Sequence, residues 1–373
     1  MDPARLINPT FWTDPRPLAA GDPEVTAWCE GEPALDGHVL FQTSGSSGAP
    51  KWIALKKDAL LLSAAVVNRH LGVTGDSCWG LSLPLHHVGG FGVAARSYEA
   101  ASRMVRLGGK WNPAEFTAWI ERHGVTHVSL VPTQVHDLVT GGHRGPACLR
   151  AIVVGGGRME DALGQAARDL GWPVLASYGM TETGSQIATQ ALEVLDQPYQ
   201  HAPLPLLDAW NARTDEDDRL HVGGAVLFSG SVVPEGRGLR WVPRVGEWHA
   251  TGDRATVDGR WITPLGRLDA VVKILGELVD PESVEREVLA LSAGRLSYGD
   301  IAIAAVPDER AGHRLVPVIA ETAAGEATIA VLNAYNATAP GFRRLSEPVV
   351  VDALPLSELG KIRRAEVLGA LLA

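Results

Sequence analysis

A large N-terminal α/β domain with a β-rich subregion, followed by a small α+β C-terminal domain, is the fold class the sequence predicts. Three observations carry the prediction. Short apolar, strand-like runs alternate with longer helix-like runs through the first half of the chain, the pattern of a sheet built from βα units. From about Leu220, prolines and glycines cut the chain into shorter extended runs. From about Ala270 helices and strands return in a different mixture, so the expected domains are 1–269 and 270–373.

In order, Gly37–Gln42 reads as a strand, followed by a polar glycine-rich turn and the helix-like run Lys57–Leu71. The expected local context is therefore strand, loop, helix. A second apolar run, Cys78–Leu83, stops at Pro84; a loop with His86, His87, Gly89 and Gly90 follows, then a helix from near Gly92 that carries Arg96 and Tyr98. Helix Pro113–His123, strand Val125–Val131, helix Pro132–Val139 and strand Leu149–Val154 continue the alternation up to Gly155-Gly156-Gly157. In the β-rich part, Ala225–Phe228, Ala255–Val257 and Arg260–Ile262 read as extended. Beyond 270, Glu282–Leu291 and Glu326–Asn336 read as helices, and Ile301–Val306 and Val316–Glu321 as strands. The acidic run Asp215–Asp218 reads as a solvated loop.

The chain of 373 residues is long enough for two cores, and its 46% hydrophobic and 20% charged residues are those of an ordinary folded protein. With 33 Lys plus Arg against 43 Asp plus Glu, a net charge of −10 excludes a generic electrostatic grip on nucleic acid. Cys29, Cys78 and Cys148 form neither a CxxC pair nor a disulfide framework, which points to a reducing compartment. The Met1–Pro17 segment has an early Asp2 and interrupting prolines in place of a basic and then apolar leader, and no apolar run is long enough to span a bilayer. A cytoplasmic protein without stable membrane association is expected.

The strongest local feature is Thr43-Ser44-Gly45-Ser46-Ser47-Gly48-Ala49-Pro50-Lys51. Glycines let backbone approach phosphate oxygens, hydroxyls and amides donate to them, and Lys51 adds positive charge. A surface turn rich in small residues would look the same. No glycine is followed directly by Lys and Ser/Thr, which disfavours a Walker-type loop.

This segment resembles the phosphate loop of the acyl-adenylate-forming superfamily. Four further motifs follow in that superfamily's order: Tyr178-Gly179-Met180-Thr181-Glu182; Thr251-Gly252-Asp253; Gly266-Arg267-Leu268-Asp269 continuing to Lys273 and Gly276-Glu277; and Leu359-Gly360-Lys361-Ile362. The resemblance runs from about residue 38 to 364. It implies the acyl-adenylate-forming fold with a shortened N-terminus and a mobile C-terminal lid, and an enzyme that uses ATP, Mg2+ and CoA.

Residue by residue, the resemblance puts Thr43, Ser44, Gly45, Ser46, Ser47, Gly48 and Lys51 at the nucleotide phosphates, Thr181 at the α-phosphate and Glu182 at Mg2+. It sets Gly155, Gly156 and Gly157 against adenine, Asp253 on the ribose hydroxyls and Arg267 near the nucleotide. Lys361 becomes the catalytic cation that bridges substrate carboxylate and nucleotide, although Leu356 and Leu359 depart from the usual residues of that motif. Asp269 takes the hinge position, where an ordinary turn Asp would also fit.

Within the superfamily the nearest resemblance is to the o-succinylbenzoate:CoA ligases of menaquinone biosynthesis. It rests on Gly179–Thr183 followed by Ser185, Gln186, Ile187 and Thr189, and on the short stretch ahead of the phosphate loop. The implied partners are a carboxylic acid, o-succinylbenzoate, and free CoA. His87 matches the histidine of a Pro-Leu-x-His loop beside the acyl pocket, or else anchors its own loop; the His86–His87 pair lacks the further ligands of a zinc site. Ser185, Gln186 and Thr189 either shape the acid pocket or cap and pack a helix. A ligase for another aromatic or aliphatic acid is the main alternative, and an inactive nucleotide-binding regulatory protein the alternative of a different class.

Overall fold

The computed structural model describes residues 2–44, 50–357 and 360–372, with Ser44 described by its backbone. The chain divides into two compact units. The first comprises residues 1–216, 220–251 and 256–264, and the second 217–219, 252–255 and 265–373.

The first unit opens with three short helices, α1 (Pro3–Leu6), α2 (Pro9–Thr13) and α3 (Pro23–Cys29). Each starts where Asp2, Asn8 or Asp22 accepts a backbone N–H ahead of a proline in the first turn. Strand β1 (Leu18–Ala19) runs parallel to β2 (His38–Ser44). Here the structure corrects the expected strand, loop, helix. Pro50–Lys56 is a further strand, β3, antiparallel to β2 from His38↔Lys56 to Ser44↔Pro50, and helix α4 (Lys57–His70) starts only after it. The segment Lys51–Leu55 is apolar at Trp52, Ile53, Ala54 and Leu55, a run that fits a strand buried on both faces, and these four side chains are buried. The glycine-rich segment therefore joins two strands.

The central sheet follows. Its strands are β4 (Cys78–Leu81), β5 (Arg103–Arg106), β6 (His127–Leu130), β7 (Ala151–Val154), β8 (Val174–Met180) and β9 (Ser185–Thr189), in the order β5-β4-β6-β7-β8-β9. All neighbours are parallel except β8 and β9. Every residue of β4, β6 and β7 is buried, as expected of parallel strands covered on both faces. The crossover helices are α5 (Val88–Glu99), α6 (Pro113–His123), α7 (Pro132–Thr140) and α8 (Asp161–Asp169). Helix α5 starts before the expected Gly92, because Gly89 and Gly90 are helical. A Cβ on Gly90 would lie 2.3 Å from the Pro84 carbonyl oxygen, so the glycine is there to admit close backbone approach.

From β4 the chain steps outward to β5, then back across β4 to β6, β7 and β8. Right-handed crossovers set α5, which packs with α4, on one face, and α6, α7 and α8, which pack in succession, on the other. The reversal of direction opens a crevice outside the carboxyl ends of β4 and β6, where doubly wound sheets bind ligands.

Seven strands complete this part of the chain: β10 (Leu204–Pro205), β11 (Trp210–Thr214), β12 (Arg219–Gly224), β13 (Gly230–Glu235), β14 (Gly238–Pro243), β15 (Trp248–Asp258) and β16 (Trp261–Arg267). Strands β13 and β14 extend the hairpin sheet into β1-β2-β3-β13-β14, and the others form β10-β16-β15-β12-β11. The expected strand Ala225–Phe228 is instead the connection between β12 and β13. Its backbone donors are spent elsewhere, Leu227 N–H on Gly224 and Phe228 N–H on Glu182. Asp215–Asp218 forms the turn between β11 and β12, where Asp218 has a φ of 58°.

In the second unit, β17 (Val272–Ile274) and β18 (Glu277–Val279) form a hairpin. Helix α9 (Pro281–Leu291), strands β19 (Ile301–Asp308) and β20 (Gly312–Ala320), helix α10 (Glu326–Thr338), strand β21 (Val349–Val351) and helix α11 (Arg364–Leu372) follow. Alternation along β19 sorts the core: Ile301 and Ile303 pack with residues of α9 and α10, and Ala302 and Ala304 with Ile362 and Val367 on the opposite face. Among the described residues no helix is long and apolar enough to cross a membrane.

Candidate active site

The carboxyl ends of the central strands carry the motif residues of the first unit. His87 follows β4 and caps α5; Gly155, Gly156 and Gly157 follow β7; Tyr178–Glu182 close β8. At the end of β8 the chain must turn sharply. Gly179 permits it, since a Cβ there would lie 1.6 Å from the Ser185 carbonyl oxygen. A bulge at Tyr178/Gly179 shifts the register with β9, so Gly179 faces Gln186 and Met180 faces Ser185. Thr181–Thr183 then forms one 3-10 turn. The buried Thr183 hydroxyl holds it, accepting from Met180 N–H at 3.1 Å and lying 2.9 Å from the Met180 carbonyl oxygen.

That turn presents Glu182 to the glycine-rich hairpin. Lys51 Nζ donates to Glu182 Oε1 at 3.1 Å, and Thr43 sits opposite Lys51 in the hairpin register. Of the other expected phosphate-loop residues, Ser44 pairs by its backbone with Pro50, while Gly45, Ser46, Ser47 and Gly48 lie outside the described residues. The Glu182 carbonyl accepts Phe228 N–H at 2.9 Å, and the His249 ring meets the Phe228 ring edge-on at 5.0 Å. Burial depresses the His249 pKa, with the Glu182 charge opposing it. Residues 228 and 249 were not singled out from sequence; nothing in their local pattern marks them. Gly155 is half-buried, its N–H on the Leu130 carbonyl at 3.1 Å, and Gly156 and Gly157 are exposed.

The alternative that Ser185, Gln186 and Thr189 cap and pack a helix does not hold: they belong to strand β9, because β8 supplies a ladder for them. Gln186 and Thr189 are buried and joined by a hydrogen bond of 2.5 Å from the Thr189 hydroxyl to Gln186 Oε1. Among the described residues Gln186 Nε2 has no hydrogen-bond partner. The rings of His86 and His87 are 4.3 Å apart, and His86 lines a cavity of about 210 Å³ with Gly21, Leu83, Pro84, Leu85 and Arg106.

Arg96, which the sequence reading placed on a helix without assigning it a role, stands out by its burial. It is 2% exposed, its Nη1 donates to the Ser129 hydroxyl at 3.2 Å near the carboxyl end of β6, and its guanidinium lies 4.8 Å from the Trp79 ring centroid. Among the described residues no carboxylate pairs with it. Burial lowers its pKa to about 9, so it stays cationic at neutral pH. The available signal was an arginine directly after the apolar run Phe91–Ala95.

The second unit gathers a different set. Arg267 forks onto Asp269, with Nε–Oδ1 2.9 Å and Nη2–Oδ2 2.8 Å, and its Nη1 reaches Asp253 Oδ1 at 3.2 Å. The hydrogen bond from Arg267 holds Asp269 below the usual carboxylate range, and Asp269 in turn raises Arg267. Lys361 lies in a narrow loop closed by Leu356↔Ile362 bridge pairing and by Ser357 N–H on the Lys361 carbonyl at 2.8 Å. Although Lys361 is solvent-exposed, desolvation around its ammonium pushes its pKa down, Arg267 adds to the effect, and Asp253 and Glu282 oppose it.

Among the described residues no three His, Cys, Asp or Glu side chains cluster to hold a metal ion. A lone carboxylate such as Glu182 still suits a hard cation that keeps its waters and takes oxygens from a nucleotide.

The 2-succinylbenzoate–CoA ligase of Bacillus cytotoxicus is 30% identical over 286 residues, covering 73% of this chain and 59% of the relative. That of Escherichia coli K12 is 32% identical over 281 residues, covering 74% of this chain and 57% of the relative. The chain thus spans little more than half the length of these relatives. A variant of E. coli MenE with bound OSB-AMS superposes with a TM-score of 0.73 at 26% identity, over 89% of this chain and 68% of that one. The fold is the two-domain acyl-adenylate-forming fold, a large α/β N-domain with β-sheets and a smaller α+β C-terminal domain. The family described as AMP-binding enzyme matches residues 19–235, more than half of the sequence, and the chain belongs to that family.

Proposed function

We propose that the chain is an AMP-forming acid:CoA ligase that acts on o-succinylbenzoate in menaquinone biosynthesis, with residues 1–269 binding acid and ATP and 270–373 serving as catalytic lid. The observation that carries the reading is the Lys51–Glu182 pair. It joins the glycine-rich hairpin to the Thr181–Glu182 turn over 131 positions, one cationic and one anionic group for the two charges of a metal nucleotide. The names of the relatives supply the acid. Arg96 supports a substrate with a second carboxylate, since a buried guanidinium without a counter-charge costs several kcal/mol that an anionic ligand recovers.

In the first half-reaction the acid carboxylate attacks the ATP α-phosphorus, forming acyl-AMP and releasing pyrophosphate. Lys51 and the hairpin hold the phosphates, Thr181 faces the α-phosphate, and Lys361 stabilises the charge that shifts between the carboxylate and the nucleotide. Asp253 holds the ribose, Arg267 keeps Asp253 and Asp269 in place, and Gly155–Gly157 lie along adenine. Glu182 would hold Mg2+, which screens phosphate charge when bound. In the second half-reaction the CoA thiol attacks the acyl carbon, and AMP leaves. Rotation at Asp269 withdraws Lys361 between the two steps. His87, Ser185, Gln186, Thr189 and Arg96 shape the acid pocket.

The test is incubation with o-succinylbenzoate, ATP, Mg2+ and CoA, read by mass spectrometry beside a panel of aromatic and aliphatic acids. The reading expects the o-succinylbenzoyl thioester with AMP and pyrophosphate. Efficient turnover of another acid alone would replace the substrate, and ATP binding without acid-dependent pyrophosphate release would remove the activity.

A further inference from the structure

The segment that carries Lys361 has no helix or strand of its own, yet its backbone is fastened on the C-terminal side by polar contacts that the reaction does not use. Ile362 N–H donates to the Tyr298 hydroxyl at 3.2 Å. Two residues on, Arg364 makes a fork onto Glu285, Nη1–Oε2 2.9 Å and Nη2–Oε1 2.9 Å, and its Nε lies 2.8 Å from Glu282 Oε1. Glu285 is 3% exposed and also accepts Ile303 N–H at 3.0 Å, which ties the fork to the third residue of β19. Burial alone would depress the Arg364 guanidinium; Glu285 and Glu282 outweigh it and hold the group above its ordinary pKa. Between these two anchors the Ile362 side chain is sunk among Ala302, Ala304 and Val318.

A buried ion pair is a poor way to gain stability, because desolvation consumes most of the attraction and apolar residues of the same size serve as well. It is a good way to set one register, because a guanidinium and a carboxylate engage in a fixed planar fork. A lysine needs such a base. Its side chain has four rotatable bonds, and a displacement of about 1 Å at a reacting centre costs on the order of 100-fold in rate.

We propose that Tyr298, Glu285 and Arg364 are positioning residues for Lys361, clamping the first and third positions after it so that the ammonium is delivered at one height above the loop. The proposal rests on the acid-activation reading. The clamp serves adenylation alone, since thioester formation does not use Lys361.

The experiment takes the full chain with Tyr298→Phe, Arg364→Lys and Lys361→Ala, singly and with each clamp variant combined with Lys361→Ala. Each clamp variant lowers kcat for acid-dependent pyrophosphate release by about 10-fold, leaves KM for ATP and acid unchanged, and leaves conversion of supplied acyl-AMP to acyl-CoA unchanged. In the Lys361→Ala background the same substitutions cost nothing further. Equal losses in both half-reactions, full additivity with Lys361→Ala, or wild-type adenylation by both clamp variants overturns the proposal, as does a Lys361→Ala chain with undiminished adenylation. A chain that releases no pyrophosphate with any acid fails the acid-activation reading instead. Exchange of the Ile362 amide, followed by NMR, then decides the clamp by itself: about 10-fold faster exchange in Tyr298→Phe supports it, because the hydroxyl protects that N–H, and unchanged exchange overturns it.

Discussion

Lys51 and Glu182 meet with Nζ and Oε1 3.1 Å apart, one from the β3 side of a hairpin and the other from the turn that ends β8. Both are partly exposed, so the pair itself is worth less than about 1 kcal/mol of stability. Its value is in exchange: the carboxylate can pass to a cation and the ammonium to phosphate oxygens with little reorganisation. Lys51→Ala should raise KM for ATP by about 10-fold, and Glu182→Gln should raise the Mg2+ concentration for half-maximal pyrophosphate release. Chelation of Mg2+ should stop the first half-reaction, and initial rates over ATP and Mg2+ concentration check all three outcomes.

In the proposed role Lys361 acts as a cation, and desolvation around its ammonium lowers its pKa although the residue is solvent-exposed. Adenylation should therefore be full at low alkaline pH and fall as pH rises through the folded pKa, earlier than for a lysine of ordinary pKa. Lys361→Arg should move that fall upward, and Lys361→Ala should lower adenylation by roughly 100-fold or more while sparing transfer from supplied acyl-AMP. Single-turnover rates across pH 7 to 10, a range set around the ordinary lysine value of about 10.4, give the profile.

For Arg96, the expected effect is on selectivity. Arg96→Leu should reduce kcat/KM for an aromatic dicarboxylate by about 100-fold and for a matched monocarboxylate far less, because the second acid can no longer be paired. Competition between the two acids in one reaction measures the ratio directly.

His127 and His201 are buried, and burial pushes both imidazoles down to a pKa of about 4. In the unfolded chain each titrates near 6.5. Between these values the unfolded state binds more protons, so stability is complete above about pH 6.5 and declines as pH falls toward 4, by at most about 3 kcal/mol per histidine. Urea unfolding at pH 7, 5.5 and 4.5 should show the decline, and His201→Asn should flatten its share of the slope.

Asp269 is held by the Arg267 fork, so a hinge test must separate backbone from side chain. Asp269→Pro restricts φ and should slow conversion of acyl-AMP to acyl-CoA while keeping adenylation. Asp269→Asn, which loses charge but not backbone freedom, should keep more of the second step. Single-turnover assays of both steps on the two variants provide the comparison.

The alternating runs along the chain were enough to read three of the six central strands, β4, β6 and β7, which lie inside their expected spans, and α6 at its expected residues, but not β5, β8, β9 or the order of the sheet. What failed is instructive. Strand β3 begins with Pro50 and Lys51, residues that read as the tail of a loop, and its strand character comes from β2 and β13 on either side. Ser185–Thr189 has polar residues at positions that suit a helix as well as a strand, and only pairing with β8 decides between them. Glu182 was legible from its motif, but its contact with Lys51 joins distant positions that no local pattern couples. Arg96 was visible as an odd charge in an apolar helix; that no carboxylate among the described residues pairs with it is a property of three dimensions.

The motif residues of the central sheet leave it at separate strand ends, His87 after β4, Gly155 after β7 and Glu182 after β8. A lineage built this way inherits its parts independently. Insertions at one exit need not disturb the next, because the buried strands between them fix their spacing.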